Sequence, residues 1–422
     1  MGAGTERSPL PPTPHRTSSV RYKRHSLRCK RHISGHAQLM ISRGAPSTQP
    51  QGSGTVESMN TLPVGTRVDA PDSPMNLKAK GFNRHTFWCG QSGSGKTYAL
   101  GVVLEQLVLN TELPILILDP NSDFTKMREL RDTVRPEDRA ALEAKDISVF
   151  HSSSDQEPRL HTRFTELSMK AMAGVLKMDP IKDAEEFNAL LHTEPDRATF
   201  NGQEFLRELL LSGDPARQKL AKRIDNLQVL NWDVWALSES NITDTVAERP
   251  DVTVADLGGF EVADESTTAA LAILEDLWKR RNERRPILIV IDEAHNLCPA
   301  EPNGPLEQAL TDQLIQIAAE GRKFGLWLLL STQRPTKIHQ NVLSQCDNLA
   351  LLRMNAPRDL QEIESVFGFA PAELIRRSST FTQGQVLFAG GFVEEPAVAQ
   401  MGLRLTAEGG ADVKVPIPDI TV

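Results

Sequence analysis

The stretch Gly90-Gln91-Ser92-Gly93-Ser94-Gly95-Lys96-Thr97 constrains this chain more than any other. It follows a short apolar run at 85–89 and opens a helical pattern with Leu100, Val103, Leu104, Leu107 and Val108 on one face. Strand, glycine-rich loop and helix are the context a phosphate loop requires. Three glycines let successive backbone N–H groups converge on one cavity, and the following helix turns its positive end to the same point. Lys96 adds a mobile charge for β- and γ-phosphate, and the Thr97 hydroxyl suits Mg2+. The expected ligand of Gly90, Gln91, Ser92, Gly93, Ser94, Gly95, Lys96 and Thr97 is therefore a nucleoside triphosphate with Mg2+.

A phosphate loop demands a parallel α/β sheet, and the chain supplies the strands. Residues 114–118, 287–291 and 326–330 are continuous apolar runs of strand length, as central strands buried on both faces must be. Further short strands read at 146–151, 252–256, 385–388 and 397–405. The expected fold is a doubly wound, mostly parallel α/β sheet. The region 157–248 has another texture, with helical patterns at 164–176, 184–191, 202–211 and 216–230, and reads as a helical insertion. Within it Trp232 and Trp235 read as packing residues rather than base-stacking ones. The division expected is a basic disordered tail (1–72), a first part of the ATPase core (73–156), the insertion (157–248), a second core part (249–408) and a loose C-terminal tail (409–422).

The run at 287–291 delivers Asp292 and Glu293 at its carboxyl end, where α/β folds place their chemistry. In phosphate-loop enzymes the first such acid holds Mg2+ and its neighbour polarises the attacking water; Asp292 is the metal candidate and Glu293 the general base. The run at 326–330 ends in Ser331-Thr332-Gln333-Arg334-Pro335, which makes Gln333 the candidate γ-phosphate sensor. Asp119, ending the run at 114–118, fits either a ligand contact or a turn.

Charge separates the tail from the body. Residues 1–50 hold nine Lys/Arg against the single acid Glu6, a net of +8, so the rest carries −16 to give the total of −8. Arg21, Lys23, Arg24, Arg28, Lys30 and Arg31 form a cluster suited to nucleic-acid phosphates or to plain solvation. No apolar run is long enough to cross a bilayer and no apolar signal core opens the chain, so a cytoplasmic protein without membrane association is expected. Cys29, Cys89, Cys298 and Cys346 show no metal or disulfide spacing and read as reduced thiols.

Asp292-Glu293-Ala294-His295-Asn296-Leu297, Glu320-Gly321-Arg322-Lys323-Phe324-Gly325, Ser331 to Pro335, Val342 to Asp347 and Leu351-Leu352-Arg353 together resemble the HerA-type branch of the HerA/FtsK ATPases. The resemblance covers roughly residues 80–400 and is densest over 287–360. It implies a RecA-like motor core, a homo-oligomer, a hexameric ring in the family, that translocates or processes double-stranded DNA, and a nuclease as a possible companion. It also implies DNA-stimulated ATP hydrolysis, Gln333 as sensor and an arginine supplied across the subunit interface, with Arg322 first and Arg353 second. The family's archaeal members begin with a small β-barrel, which residues 1–72 do not resemble. A different reading of the same chain is a nucleotide-gated ring scaffold that recruits a nuclease or other effector and moves little DNA. A conjugation-type ATPase has the same motor, but such proteins usually associate with membrane. The Asp-Glu-Ala-His string also names a class of RNA helicase, which needs a second motor core that the chain after residue 360 lacks.

Overall fold

A computed structural model describes residues 61–193, 201–236 and 241–410. Eleven strands form one sheet: β1 (Thr61–Arg67), β2 (Pro74–Lys78), β3 (His85–Cys89), β4 (Ile115–Asp119), β5 (Ile147–His151), β6 (Val252–Asp256), β7 (Ile287–Ile291), β8 (Leu326–Thr332), β9 (Cys346–Leu351), β10 (Gln385–Gly390) and β11 (Ala397–Met401). Their spatial order is β2-β1-β11-β10-β9-β3-β8-β7-β4-β6-β5. From β9 to β5 every neighbouring pair is parallel; the four strands at the other edge are antiparallel.

The helices in the first half are α1 (Lys96–Asn110), α2 (Pro136–Glu143), α3 (Met169–Val175), α4 (Ala184–Leu191), α5 (Gly202–Leu211), α6 (Pro215–Leu227) and α7 (Ile242–Glu248). After them come α8 (Ala263–Lys279), α9 (Pro305–Glu320), α10 (Gln340–Leu343), α11 (Pro357–Val366) and α12 (Ala372–Arg377). Alternate strand residues feed two separate cores. Ile287, Ile289 and Ile291 pack under α3–α9, whereas Leu288 and Val290 pack with α1 and α2. Burial on both faces is the reason these strands are apolar without alternation. The doubly wound parallel sheet expected from the sequence is what the chain forms.

The N-terminal expectation needs correction. Within the stretch expected to be disordered, Thr61–Arg67 is a strand pairing with both β2 and β11, and β2 is followed by a 3-10 turn at Ala79–Asn83. Leu62, Val64, Met75 and Leu77 are buried, an alternation two residues long in each strand, interrupted by Pro63, Gly65 and Pro74. So short a pattern among turn residues carries little periodic signal; the edge of an existing sheet supplies the missing hydrogen bonds. The basic cluster from Arg21 to Arg31 lies outside the described residues.

The insertion's first helical pattern is broken in two. Ser168 caps α3 by accepting from the Ala171 N–H, and Glu275 of α8 accepts from the Ser168 N–H, which separates α3 from the turn Phe164–Glu166. Trp232 and Trp235 stack with centroids 6.1 Å apart, and the Trp235 indole N–H donates to the Val229 carbonyl at 2.6 Å, so both rings pack. Cys89, Cys298 and Cys346 are buried free thiols. Among the described residues no helix is long and apolar enough to cross a membrane.

Candidate active site

The phosphate loop joins the end of β3 to α1 and is held between the carboxyl ends of two neighbouring strands. The Gly90 N–H donates to Thr332 O at 3.3 Å and the Gln91 N–H to Arg353 O at 2.9 Å. Gly93 (φ +71°) and Gly95 (φ +86°) adopt left-handed backbone that other residues avoid. Gly95 is the N-cap of α1 and no side chain caps that end. Its first amides therefore point into the loop's cavity, the arrangement that binds anions.

Lys96 is nearly buried and spans the cavity to the end of β7. Its Nζ donates to Asp292 Oδ1 at 2.8 Å and to Ser331 Oγ at 2.9 Å, and lies 3.2 Å from Glu293 Oε1. Burial alone pushes the Lys96 pKa down, but the charges of Asp292 and Glu293 more than offset it and hold the ammonium protonated. Ser331 Oγ also donates to Asp292 Oδ1 at 2.6 Å. Asp292 is fully buried, and its Oδ2 has no hydrogen-bond partner.

Glu293 sits in left-handed backbone (φ +41°), a strained conformation for a glutamate that turns its side chain back into the cleft. Gln333 Nε2 donates to its Oε1 at 2.7 Å, and His295 Nδ1, itself 3.1 Å from Thr332 Oγ1, lies 3.3 Å from its Oε2. Burial raises the Glu293 pKa, and the contacts with His295, Lys96 and Gln333 outweigh it and bring the pKa down to about 2. At neutral pH Glu293 is a carboxylate.

Three strand ends thus bring together Lys96, Asp292, Glu293 and Gln333, all singled out in the sequence. Sequence reasoning assigned no role to Ser331 or to His295. It also passed over Asp123, whose Oδ2 accepts from the Thr97 hydroxyl at 3.4 Å and whose pKa burial and the nearby Asp292 raise to about 6. Asp119, for which both roles were open, is a turn residue: its carboxylate accepts from the N–H groups of Asp123 and Phe124. Asp119 ends an apolar run, whereas no local pattern in the sequence marks Asp123.

The two arginine candidates occupy opposite ends of the sheet. Arg353 follows β9 and donates from Nη2 to Gly93 O at 3.2 Å. There it braces its own phosphate loop. Arg322 precedes β8, at the amino ends of the parallel strands, where it pairs with Asp347.

The site can hold a triphosphate on loop amides and Lys96. For Mg2+, the unpartnered Asp292 Oδ2 and the Thr97 hydroxyl are fitting oxygen donors. Among the described residues no group of three His, Cys, Asp or Glu could hold a metal by itself.

Fold and site define a phosphate-loop ATPase. The family described as "helicase HerA, central domain" matches residues 62–277, just over half of the 422, and the chain belongs to that family. The family of ATPases associated with various cellular activities matches residues 240–354. A probable helicase of Methanocaldococcus jannaschii is 28% identical over 151 residues, 35% of this chain and 29% of that protein. The DNA double-strand break repair helicase HerA of Sulfurisphaera tokodaii is 21% identical over 369 residues, 82% of this chain and 70% of that protein. Among solved structures, VirB4 of Thermoanaerobacter pseudethanolicus aligns with a TM-score of 0.53 at 14% identity, covering 81% of this chain and 96% of that one. The bacterial conjugative coupling protein TrwB aligns with a TM-score of 0.50 at 12% identity, covering 82% and 90%. These two establish likeness of fold alone.

Proposed function

We propose that this chain is the motor subunit of an oligomeric, Mg2+-dependent ATPase that translocates double-stranded DNA. The observation that carries the reading is the convergence of Lys96, Asp292, Glu293 and Gln333 on one cavity beside the phosphate loop, in a member of the HerA family. Loop amides and Lys96 bind the β- and γ-phosphates, Lys96 exchanging its carboxylate partners for phosphate oxygens. Thr97 and Asp292 would hold Mg2+, which supplies a Lewis acid neutralising charge on the transferring phosphoryl group. Glu293 orients the attacking water, and its basicity rises as Lys96 turns to phosphate, because part of what lowers its pKa is that ammonium. Gln333, bonded to Glu293, reports the γ-phosphate to the water-orienting group.

Arg322 lies at the strand ends opposite its own phosphate loop, a position that supports a role on a neighbouring subunit's nucleotide rather than on its own. A guanidinium supplied in trans is worth roughly 10³–10⁵ in rate where enzymes use one, and it ties hydrolysis to ring assembly. By family resemblance the ring is a hexamer with a nuclease as a candidate companion; the repair helicase of Sulfurisphaera tokodaii named above supplies the DNA substrate class. The test is hydrolysis with and without duplex DNA, on the unaltered protein, Lys96→Ala, and a mixture of Glu293→Gln with Arg322→Ala subunits. Expected are stimulation by duplex DNA, no turnover for Lys96→Ala, and recovery in the mixture. DNA-insensitive turnover in an assembled sample would instead favour the ring-scaffold reading.

A further inference from the structure

The cavity beside the phosphate loop has a volume of about 670 Å³, ample for a whole nucleotide, and only its phosphate end is accounted for above. Its other wall is late chain: the Gln383–Gly384 turn and the segment 400–410. Both pieces are fastened to the phosphate-loop unit. The Gly384 N–H donates to Ser94 O at 3.0 Å and the Gly409 N–H to Asp123 O at 3.0 Å. Glu105, buried on α1, accepts from the Leu405 and Thr406 N–H groups, each at 2.8 Å, and from the Thr406 hydroxyl at 2.6 Å.

Arg404 completes the fastening. It is 1% exposed, its Nε is 3.7 Å from Glu105, its guanidinium lies 5.4 Å from the centre of the Phe124 ring, and its N–H donates to the Tyr98 hydroxyl at 2.8 Å. Gly101 makes room for it, since a Cβ there would be 2.5 Å from Arg404 Nε. One residue before this anchor, Leu403 is 75% exposed and lines the cavity. An apolar side chain left in water between two rigid attachments, beside a phosphate site, has the position and chemistry of a platform for a planar ring.

We propose that the segment 400–410 is the nucleoside subsite of the ATP site, with Leu403 the platform for the base and the Glu105–Arg404 pair its positioning device. The inference rests on the ATP-site reading of the preceding subsection and extends it from the phosphates to the base. It also gives Gly409 and Gly410, where the sequence places the start of a loose tail, a part in substrate binding; residues 411–422 of that tail lie outside the described residues.

The experiment is calorimetric titration of the full chain with Mg·ATP and, separately, with magnesium tripolyphosphate, on the unaltered protein and on Leu403→Ser. Covering the exposed Leu403 surface is worth about tenfold in affinity. Expected is a tenfold weaker Kd of Leu403→Ser for Mg·ATP, an unchanged Kd for tripolyphosphate and an unchanged melting temperature, since the residue is exposed. Equal weakening for both ligands, or no weakening for either, overturns the subsite while leaving the phosphate site intact. An unaltered protein that binds neither ligand overturns the ATP reading, and the subsite with it.

Discussion

Gln333 donates a hydrogen bond of 2.7 Å to Glu293, which joins the end of β8 to the end of β7 and makes the sensor and base candidates one unit. Groups that act as a unit lose rate non-additively. Gln333→Ala is expected to lower kcat by about 10²-fold and Glu293→Gln by at least about 10²-fold, with the double variant close to Glu293→Gln alone. Both single variants should still bind Mg·ATP. Steady-state hydrolysis with nucleotide binding measured in parallel checks this, and multiplicative losses would show that the two residues act independently.

Lys96 is the counter-charge of two buried acids. Removing one partner from such a set costs about 3–5 kcal/mol, because the remaining charges are left without compensation. Lys96→Ala should therefore unfold at lower denaturant concentration in the absence of nucleotide, in addition to losing hydrolysis. Urea unfolding of the two proteins at pH 7 reads the difference; an unchanged midpoint would mean that the acids do not depend on the lysine.

His85 is buried at the amino end of β3. The Leu328 N–H donates to its Nδ1 at 2.9 Å and its Nε2 lies 3.0 Å from Ala318 O. Burial, with the nearby Arg322 charge, lowers its pKa to about 4. The unfolded chain takes up this proton near pH 6.5 and the folded chain does not until about pH 4, so the unfolded state binds more protons in that window. The stability His85 contributes is complete above about pH 6.5 and falls as pH drops toward 4, by about 2 kcal/mol between pH 7 and pH 5. His85→Gln should lose that part of the pH dependence, which denaturant titrations at the two pH values would reveal.

Gly101 faces the Arg404 guanidinium so closely that any side chain must displace it. Gly101→Val is expected to destabilise the fold by about 1–3 kcal/mol and to weaken ATP binding by shifting the segment 400–410. Thermal unfolding together with an ATP titration checks both effects.

Much of the site was legible because phosphate-loop chemistry is written locally. The glycine spacing of residues 90–97, the apolar runs of β4, β7 and β8 and the acid pair after β7 each signal through neighbours in sequence. The edge hairpin β1–β2 was not legible, since its short alternation gains meaning only when β11 offers a partner. Asp123 was missed because its link to Thr97 depends on the turn that Asp119 caps.

By itself the sequence determined that this chain folds a parallel sheet around a phosphate loop with two acids at a strand end. Those features follow from side-chain size, charge and backbone freedom within a few residues. Tertiary structure alone decided that Lys96 reaches Asp292 across 196 residues of chain, that Arg353 braces its own loop while Arg322 lies at the other end of the sheet, and that the segment 400–410 walls the nucleotide cavity. Each is a contact between distant segments, fixed by strand order and by burial that no local pattern encodes.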